Sequence, residues 1–254
     1  MRFFVKKISM KVKIISFAIL SLIMLFNADV SAQRRRQPVR VLLVTGGHDF
    51  DREPFDRFLN SLPGISVTEV KHPDALAMFR PENRESFDVV LFYDMPQRID
   101  EQEKKDFIDC LNVGKGIVVW HHAYCSYQDW PEYQNIIGGR YHETPRIDNS
   151  GVSHSASTFK YNVRIRAKVA DKKHPVTKGI KDFEIVDEAY GNGVVNQNVH
   201  VLLTTDEPLS TPSIAWANKY GNSKVVTILL GHDNQAWSNP SLKKLMTQAI
   251  LWVK

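Results

Sequence analysis

Apolar residues along the chain fall into short runs, separated by stretches with helical spacing. Residues 37–45 (QPVRVLLVT), 65–70, 87–93 (FDVVLFY) and 117–120 (IVVW) are brief and rich in β-branched residues. That is the pattern of strands buried on both faces of a sheet. Between the first two, Phe55, Phe58, Leu59 and Leu62 recur at helical spacing, which predicts a helix from Asp51 or Arg52 to about Leu62, stopped by Pro63-Gly64. A second helix is predicted from the acidic stretch Asp100–Glu103 to about Val113, with Phe107, Ile108 and Leu111 inward. Its carboxylates suit the positive end of the helix dipole. Strand, helix, strand, helix, strand over this length predicts an α/β fold with a doubly wound, mostly parallel sheet and helices on both faces.

The second half continues the alternation. Residues 159–169 alternate as a half-wet strand, with Tyr161, Val163 and Ile165 on one face against Lys160, Arg164 and Arg166. Further strands are predicted at 183–186, 199–204, 214–217 and 224–230, and Asn239-Pro240 is a good start for a closing helix to Val253. Residues 144–158 are polar and read as an active-site loop or lid. No repeat or low-complexity linker interrupts residues 39–254, so one domain is expected.

The N-terminus changes the picture of charge. Residues 1–32 have the parts of an export signal: basic residues from Arg2 to Lys13, an apolar run from Ile14 to Phe26, and the small-residue pattern Val30-Ser31-Ala32. Met10 would begin a tidier signal. The apolar run is shorter than the roughly 20 residues a membrane span needs. The expectation is therefore a cleaved signal, no stable membrane anchor, a basic arm at 33–38, and a periplasmic or secreted protein. The formal charge of +5 owes much to that signal and to Arg34-Arg35-Arg36. Without them no basic face is left for nucleic acid. Cys110 and Cys125 could pair in an oxidising compartment or stay as separate, half-buried thiols.

Candidate chemistry lies at strand ends, where ligand sites of open α/β sheets occur. Three strands finish in histidine: LLVTGGH (His48), IVVWH (His121) and ILLGH (His232). Glu188, beside Asp187, is the natural carboxylate partner. His121, Glu188 and His232 are thus the candidate catalytic residues. With His48 they are also candidate ligands for a divalent metal such as zinc. The chain has no HExxH or CxxC spacing, so a metal would have to be argued from geometry. A metal-free reading has a histidine as general acid or base, with Glu188 setting its tautomer. Candidate substrate contacts are His48, His122, Tyr124, Trp130, Asp187, Tyr190 and Trp237. The aromatic residues near the histidines could form a platform for a sugar ring or simply pack the core, the latter favoured for Trp120, Trp216 and Trp252. Cys125 is a competing nucleophile, although it lies four residues past His121, outside the strand-to-helix elbow.

The stretches VLLVTGGHDFDREPF, GKGIVVWHHA, WPEYQNIIGGRY, KHPVTKGI, VDEAY and LLGHDNQAWSNPSLKKLMTQAILW resemble, in this order, the trehalose-utilisation (ThuA-like) family, from about Val39 to Trp252, nearly all of the expected mature chain. The resemblance implies a flavodoxin-type fold like that of the class I glutamine amidotransferases, and a place in carbohydrate metabolism. It matches His48, His121, Asp187, Glu188, Tyr190, Gly231 and His232 to the family's motifs. His122 and the segment His142-Glu143-Thr144-Pro145 depart from the family pattern. The expected protein is an exported enzyme, a hydrolase or isomerase, acting on a small-molecule carbohydrate. The alternatives are a non-catalytic sugar-binding protein and a thiol hydrolase using Cys125. A homo-oligomer is compatible with either.

Overall fold

Residues 37–147 and 151–254 are described by the computed structural model, so the expected export signal, residues 33–36 of the basic arm and the 148–150 tip of the polar loop lie outside the described residues. In chain order the elements are β1 (Val39–Gly46), α1 (Arg52–Asn60), β2 (Ile65–Lys71), β3 (Val89–Asp94), α2 (Glu101–Asn112), β4 (Gly116–Trp120), α3 (Pro131–Ile137), β5 (Gly139–Arg140), β6 (Arg146–Ile147), β7 (Ser153–His154), β8 (Thr158–Val169), β9 (Phe183–Gly191), β10 (Val194–Val195), β11 (His200–Thr204), β12 (Ser213–Tyr220), β13 (Ser223–Ile228), α4 (Asn234–Trp237) and α5 (Pro240–Val253). Nine strands form one sheet in the order β2-β1-β3-β4-β13-β12-β11-β8-β9. The first five run parallel and the last four are added antiparallel. Two small pairs, β5 with β10 and β6 with β7, lie outside it.

The uninterrupted apolar runs are explained by burial on both faces. Val118 and Trp120 of β4 join Phe55 and Phe58 of α1 and Leu245 of α5 in one core. Ile117 and Val119 join Phe107 of α2, Ile136 of α3 and Phe92 in the other. The helix starts follow local chemistry. Asp100 accepts from the Glu103 backbone N–H while Glu103 accepts from that of Asp100, a capping box. The Asn239 side chain accepts from the N–H groups of Ser241 and Leu242 at the start of α5.

One predicted strand differs in a way that matters. The alternation places Tyr161 on the same face as Val163 and Ile165. In the structure the β8–β9 register is broken by a bulge between Lys160 and Val163, and Asn162 takes a left-handed φ of 57°. The extra residue turns Tyr161 outward, while Val163 and Ile165 stay buried. Strand β9 also continues beyond Val186 to Gly191, so Asp187, Glu188 and Tyr190 belong to a strand and not to a loop. No helix among the described residues is long and apolar enough to cross a membrane.

Candidate functional site

The strand ends build the site from below. Strand β4 ends at Trp120, and the chain turns through His121 into a single helical turn, His121–Cys125. His121 has a φ of 52°, a left-handed conformation that a non-glycine residue adopts only when its surroundings hold it there. Its Nδ1 donates to the Leu229 carbonyl at 2.7 Å, just past β13. The neighbouring Trp120 Nε1 donates to the Leu230 carbonyl at 2.8 Å. Gly231 follows with φ 118°, and a Cβ there would come within 2.2 Å of Trp120 Nε1, so only glycine fits. The Tyr93 hydroxyl donates to the Gly231 and His232 carbonyls, and Trp237 Nε1 donates to that of Gly231 at 2.8 Å.

The other wall is a ribbon. Strand β8 pairs with β11 only through Lys168 and Val169, so most of the β8–β9 hairpin leaves the main sheet. Its inner face, with Val163 and Ala189, packs on the core. Asp187 on that face is buried and staples the ribbon to the end of β13. It accepts from the N–H groups of Gly231 (2.6 Å) and His232 (2.9 Å), and from that of Glu188 (2.9 Å). Burial pushes the Asp187 pKa up to about 6 against the opposing pull of His121 and those N–H groups. The opposite face carries Phe159, Tyr161, Glu188 and Tyr190, all of which line one cavity.

At the junction, Glu188 Oε2 lies 2.9 Å from His121 Nε2, and the Tyr190 hydroxyl lies 3.0 Å from the same nitrogen. Burial opposes charge on His121, but the hydrogen bond to Glu188 and the charges of Asp187 and Glu188 outweigh it and raise its pKa. Burial likewise pushes Glu188 up, and His121 outweighs it to hold the carboxyl below its ordinary value. The two form a buried ion pair with a fixed geometry.

The cavity encloses about 350 Å³. Its polar lining includes His48, His122, Glu143 and Glu188, and its apolar lining includes Met95, Phe159 and Tyr161. His48 and His122 stack at 4.3 Å between ring centroids, and the Tyr93 ring lies 4.2 Å from that of His122. Neither ring nitrogen of His122 has a hydrogen-bond partner among the described residues, nor has Nδ1 of His48. Burial, followed by the neighbouring His121, His48 and His232, pushes the His122 pKa well below its ordinary value, so its imidazole is neutral. A neutral, buried, unpartnered imidazole at a cavity wall is a ready contact for a ligand's polar group.

Several expected site residues stand elsewhere, and the reason in each case is packing. His121 does not line the cavity but sits fully buried behind Glu188. His232, with its side chain 19% exposed, lies beside it at 5.3 Å between ring centroids. His121, Glu188 and His232 each offer a ligand atom, all within 4.8 Å of one another. His48 is outside that group, because its ring is stacked on His122 instead. Tyr124 is fully buried, with its hydroxyl donating to the Val194 carbonyl. Trp130 packs on Tyr133 and Phe107 and borders a different hollow, near Pro73 and Ile99. Trp237 and Asp187 are the pins described above. None of these four faces the site cavity, so the expected aromatic platform is corrected. The exposed aromatic rings at the cavity are Phe159 and Tyr161, which sequence reading missed because the bulge hides their face. Met95, Tyr141 and Glu143 were also missed. Their sequence signal is weak, since all three lie in connections beyond strand ends.

Cys110 and Cys125 are both buried and form no disulfide. Cys125 reaches the cavity, but burial, followed by the charge of Glu188, pushes its thiol well above the ordinary range. That is the reverse of what a thiolate nucleophile needs.

The profile of the ThuA family, described as trehalose utilisation, matches residues 40–253. Among solved structures the chain is similar to a ThuA-like protein from Parabacteroides merdae (19% identity, TM-score 0.70, covering 85% of this chain and 90% of that one). It is also similar to a ThuA-like protein from Bacteroides uniformis (18% identity, TM-score 0.60, 87% and 94%). A third similar structure is a cytoplasmic protein from Salmonella typhimurium (12% identity, TM-score 0.58, 85% and 99%). At these identities the likeness is one of fold. No curated protein matches the chain. The expectation of export is corrected on the Salmonella finding: a protein of this fold is named as cytoplasmic, and export is not retained for this chain. With a family match over nearly the whole described chain, this protein belongs to the ThuA family, named for trehalose utilisation and so tied to carbohydrate metabolism.

Proposed function

We propose that this protein is an enzyme acting on a sugar or glycoside, with Glu188 as the proton-transferring carboxylate and His121 as its positioning partner. The observation that carries the reading is the pair itself. Glu188 meets the cavity, and His121 stands 2.9 Å behind it, oriented by its own bond to the Leu229 carbonyl. The pair keeps Glu188 ionised and aimed, so it is a weak but always available proton acceptor, and general-base catalysis of a hydrolysis or isomerisation is the reaction class we assign to it. His48 and His122 would meet substrate hydroxyls, satisfying ring nitrogens that have no other partner. Cys125 has no role in this scheme, because its thiol stays protonated.

The test is turnover of trehalose and a panel of glycosides and keto-sugars by the purified protein. Glu188→Gln should lower turnover by about 10²-fold or more, and unchanged turnover in that variant would remove Glu188 from the chemistry. Saturable binding with no product over long incubation would instead make the protein a sugar-binding module.

A second reading is favoured by the convergence of His121, Glu188 and His232 on one point. Two imidazoles and a carboxylate are a donor set that suits zinc with a position left open. The bond from His121 Nδ1 to Leu229 leaves Nε2 as the ligand atom, the orientation that ligating histidines usually have. An ion held there would supply Lewis-acid polarisation of a substrate oxygen. Stoichiometric zinc in the purified protein, lost in His232→Ala, would favour this reading over the metal-free pair.

A further inference from the structure

We propose that Phe159 and Tyr161 form a stacking subsite for a second sugar ring, next to the ring whose atoms meet Glu188. The inference rests on the carbohydrate reading above and deepens it, because it makes the substrate a glycoside of at least two rings.

Three observations converge on it. Phe159 and Tyr161 are 56% and 48% exposed, and both line the cavity. Single exposed apolar residues are ordinary, but two aromatic rings in edge-to-face contact at a cavity mouth, inclined at 65° to each other, make an apolar corner that offers a ring face to a ligand. Their ring centroids lie 5.5 Å apart, and the Tyr161 ring lies 5.1 Å from that of His232.

The backbone is built to present them. Residue alternation would send Tyr161 to the buried face occupied by Val163. The bulge and the left-handed Asn162 turn it outward instead, and the Gln235 side-chain amide braces that turn by donating to Asn162 Oδ1 at 2.9 Å. The braced, left-handed Asn162 thus sets both sides of the ribbon at once, Val163 into the core and the Tyr161 ring out to the cavity mouth.

The chemistry of the surface matches one ligand class. A pyranose ring has a C–H face that packs on an aromatic ring while its hydroxyls remain free at the edge. Glu188 and Tyr190 share the ribbon face with Phe159 and Tyr161, so a ring on the aromatic pair adjoins a ring at the carboxylate.

Calorimetric titration of the wild type and of the Phe159→Ala/Tyr161→Ala double variant with glucose, trehalose and maltose tests this. At least one disaccharide should bind the wild type more tightly than glucose. The double variant should lose about tenfold in affinity for that disaccharide and keep its affinity for glucose, while Tyr161→Phe keeps both. An unchanged disaccharide affinity in the double variant overturns the subsite, and so does an equal loss for glucose. Wild-type protein that binds glucose but gains nothing from a second ring also overturns it, leaving the carbohydrate reading intact. Wild-type protein that binds none of the three sugars overturns the subsite together with the carbohydrate reading for this class of ligand. Melting temperatures of both variants, expected within a few degrees of the wild type, separate a lost contact from a lost fold.

Discussion

The turn after β4, bonded behind to the end of β13, and the β8–β9 ribbon form two walls around the same cavity, yet hold their side chains differently. On the first, His121 is bonded through both ring nitrogens, and the Leu229, Leu230, Gly231 and His232 carbonyls all accept side-chain donors. On the second, Phe159 and Tyr161 stand half out of the protein, with no hydrogen bond to their rings among the described residues. The difference separates two tasks. Groups that must hold a charge in place are built into the core, where any change is felt by the whole fold. Groups that only have to offer area are set on a rim, where they can be exchanged. The strand-end groups, and Asp187 that pins the ribbon to them, should therefore respond to substitution through stability, and the two rim rings chiefly through binding.

The sharpest way to break this comparison is Asp187→Ala. It would leave the buried N–H groups of Gly231 and His232 without their acceptor and cut the staple between ribbon and β13. Unsatisfied buried donors cost on the order of 1–3 kcal/mol each, so a loss of about 4 kcal/mol is expected in urea denaturation. Asp187→Asn, which keeps one carbonyl oxygen, should lose less. A loss below about 1 kcal/mol for the alanine variant would show that the strand-end wall is not held by this residue.

The same contrast explains what could be read from the chain. His48, His121 and His232 were legible because each follows an apolar run, and a parallel sheet gathers strand ends of one direction on one edge. Glu188 was legible from its place after an apolar stretch, although its contact with His121 spans 67 residues. The platform was not legible. Tyr124, Trp130 and Trp237 are near the histidines in sequence, but that adjacency does not say which way a ring turns. These three rings went into the core or onto backbone carbonyls, Trp120 took the core place favoured for it, and Tyr190 does line the cavity. Phe159 and Tyr161 were hidden for a different reason. Period-two reasoning assumes an unbroken ladder, and one extra residue at Asn162 exchanges the faces of everything before it. Depth relative to the cavity was also out of reach: the sequence pairs a histidine with Glu188, but does not say that Glu188 meets the cavity while His121 is buried behind it.

Cys125 tests the border between the two walls. It ends the helical turn that begins at His121 and still touches the cavity. Burial and the charge of Glu188 keep it a thiol, so the native protein should react slowly with iodoacetamide at pH 7.5, and the urea-unfolded protein at the ordinary rate. Cys125→Ser should keep ligand binding and lose about 1 kcal/mol of stability from placing a hydroxyl in a buried site. Fast alkylation of the folded protein, with loss of activity, would return the thiol to the chemistry.

The smallest effect is expected on the ribbon, and it bears most directly on the contrast between the walls. Phe159 faces Tyr190 across the β8–β9 pair, and Tyr161 lies next to the bulge. Both rings already meet solvent over about half of their surface. Removing either should therefore change stability by no more than about 0.5–1 kcal/mol, as for other half-exposed positions. Because the two rings touch, the double variant need not equal the sum of the single ones. The ribbon itself should persist, since Asp187 pins its other face and Gln235 braces Asn162. Urea denaturation of Phe159→Ala, Tyr161→Ala and the double variant gives the answer. A loss above about 2 kcal/mol in either single variant would mean that the rings hold the ribbon in place, and that both walls are built for rigidity.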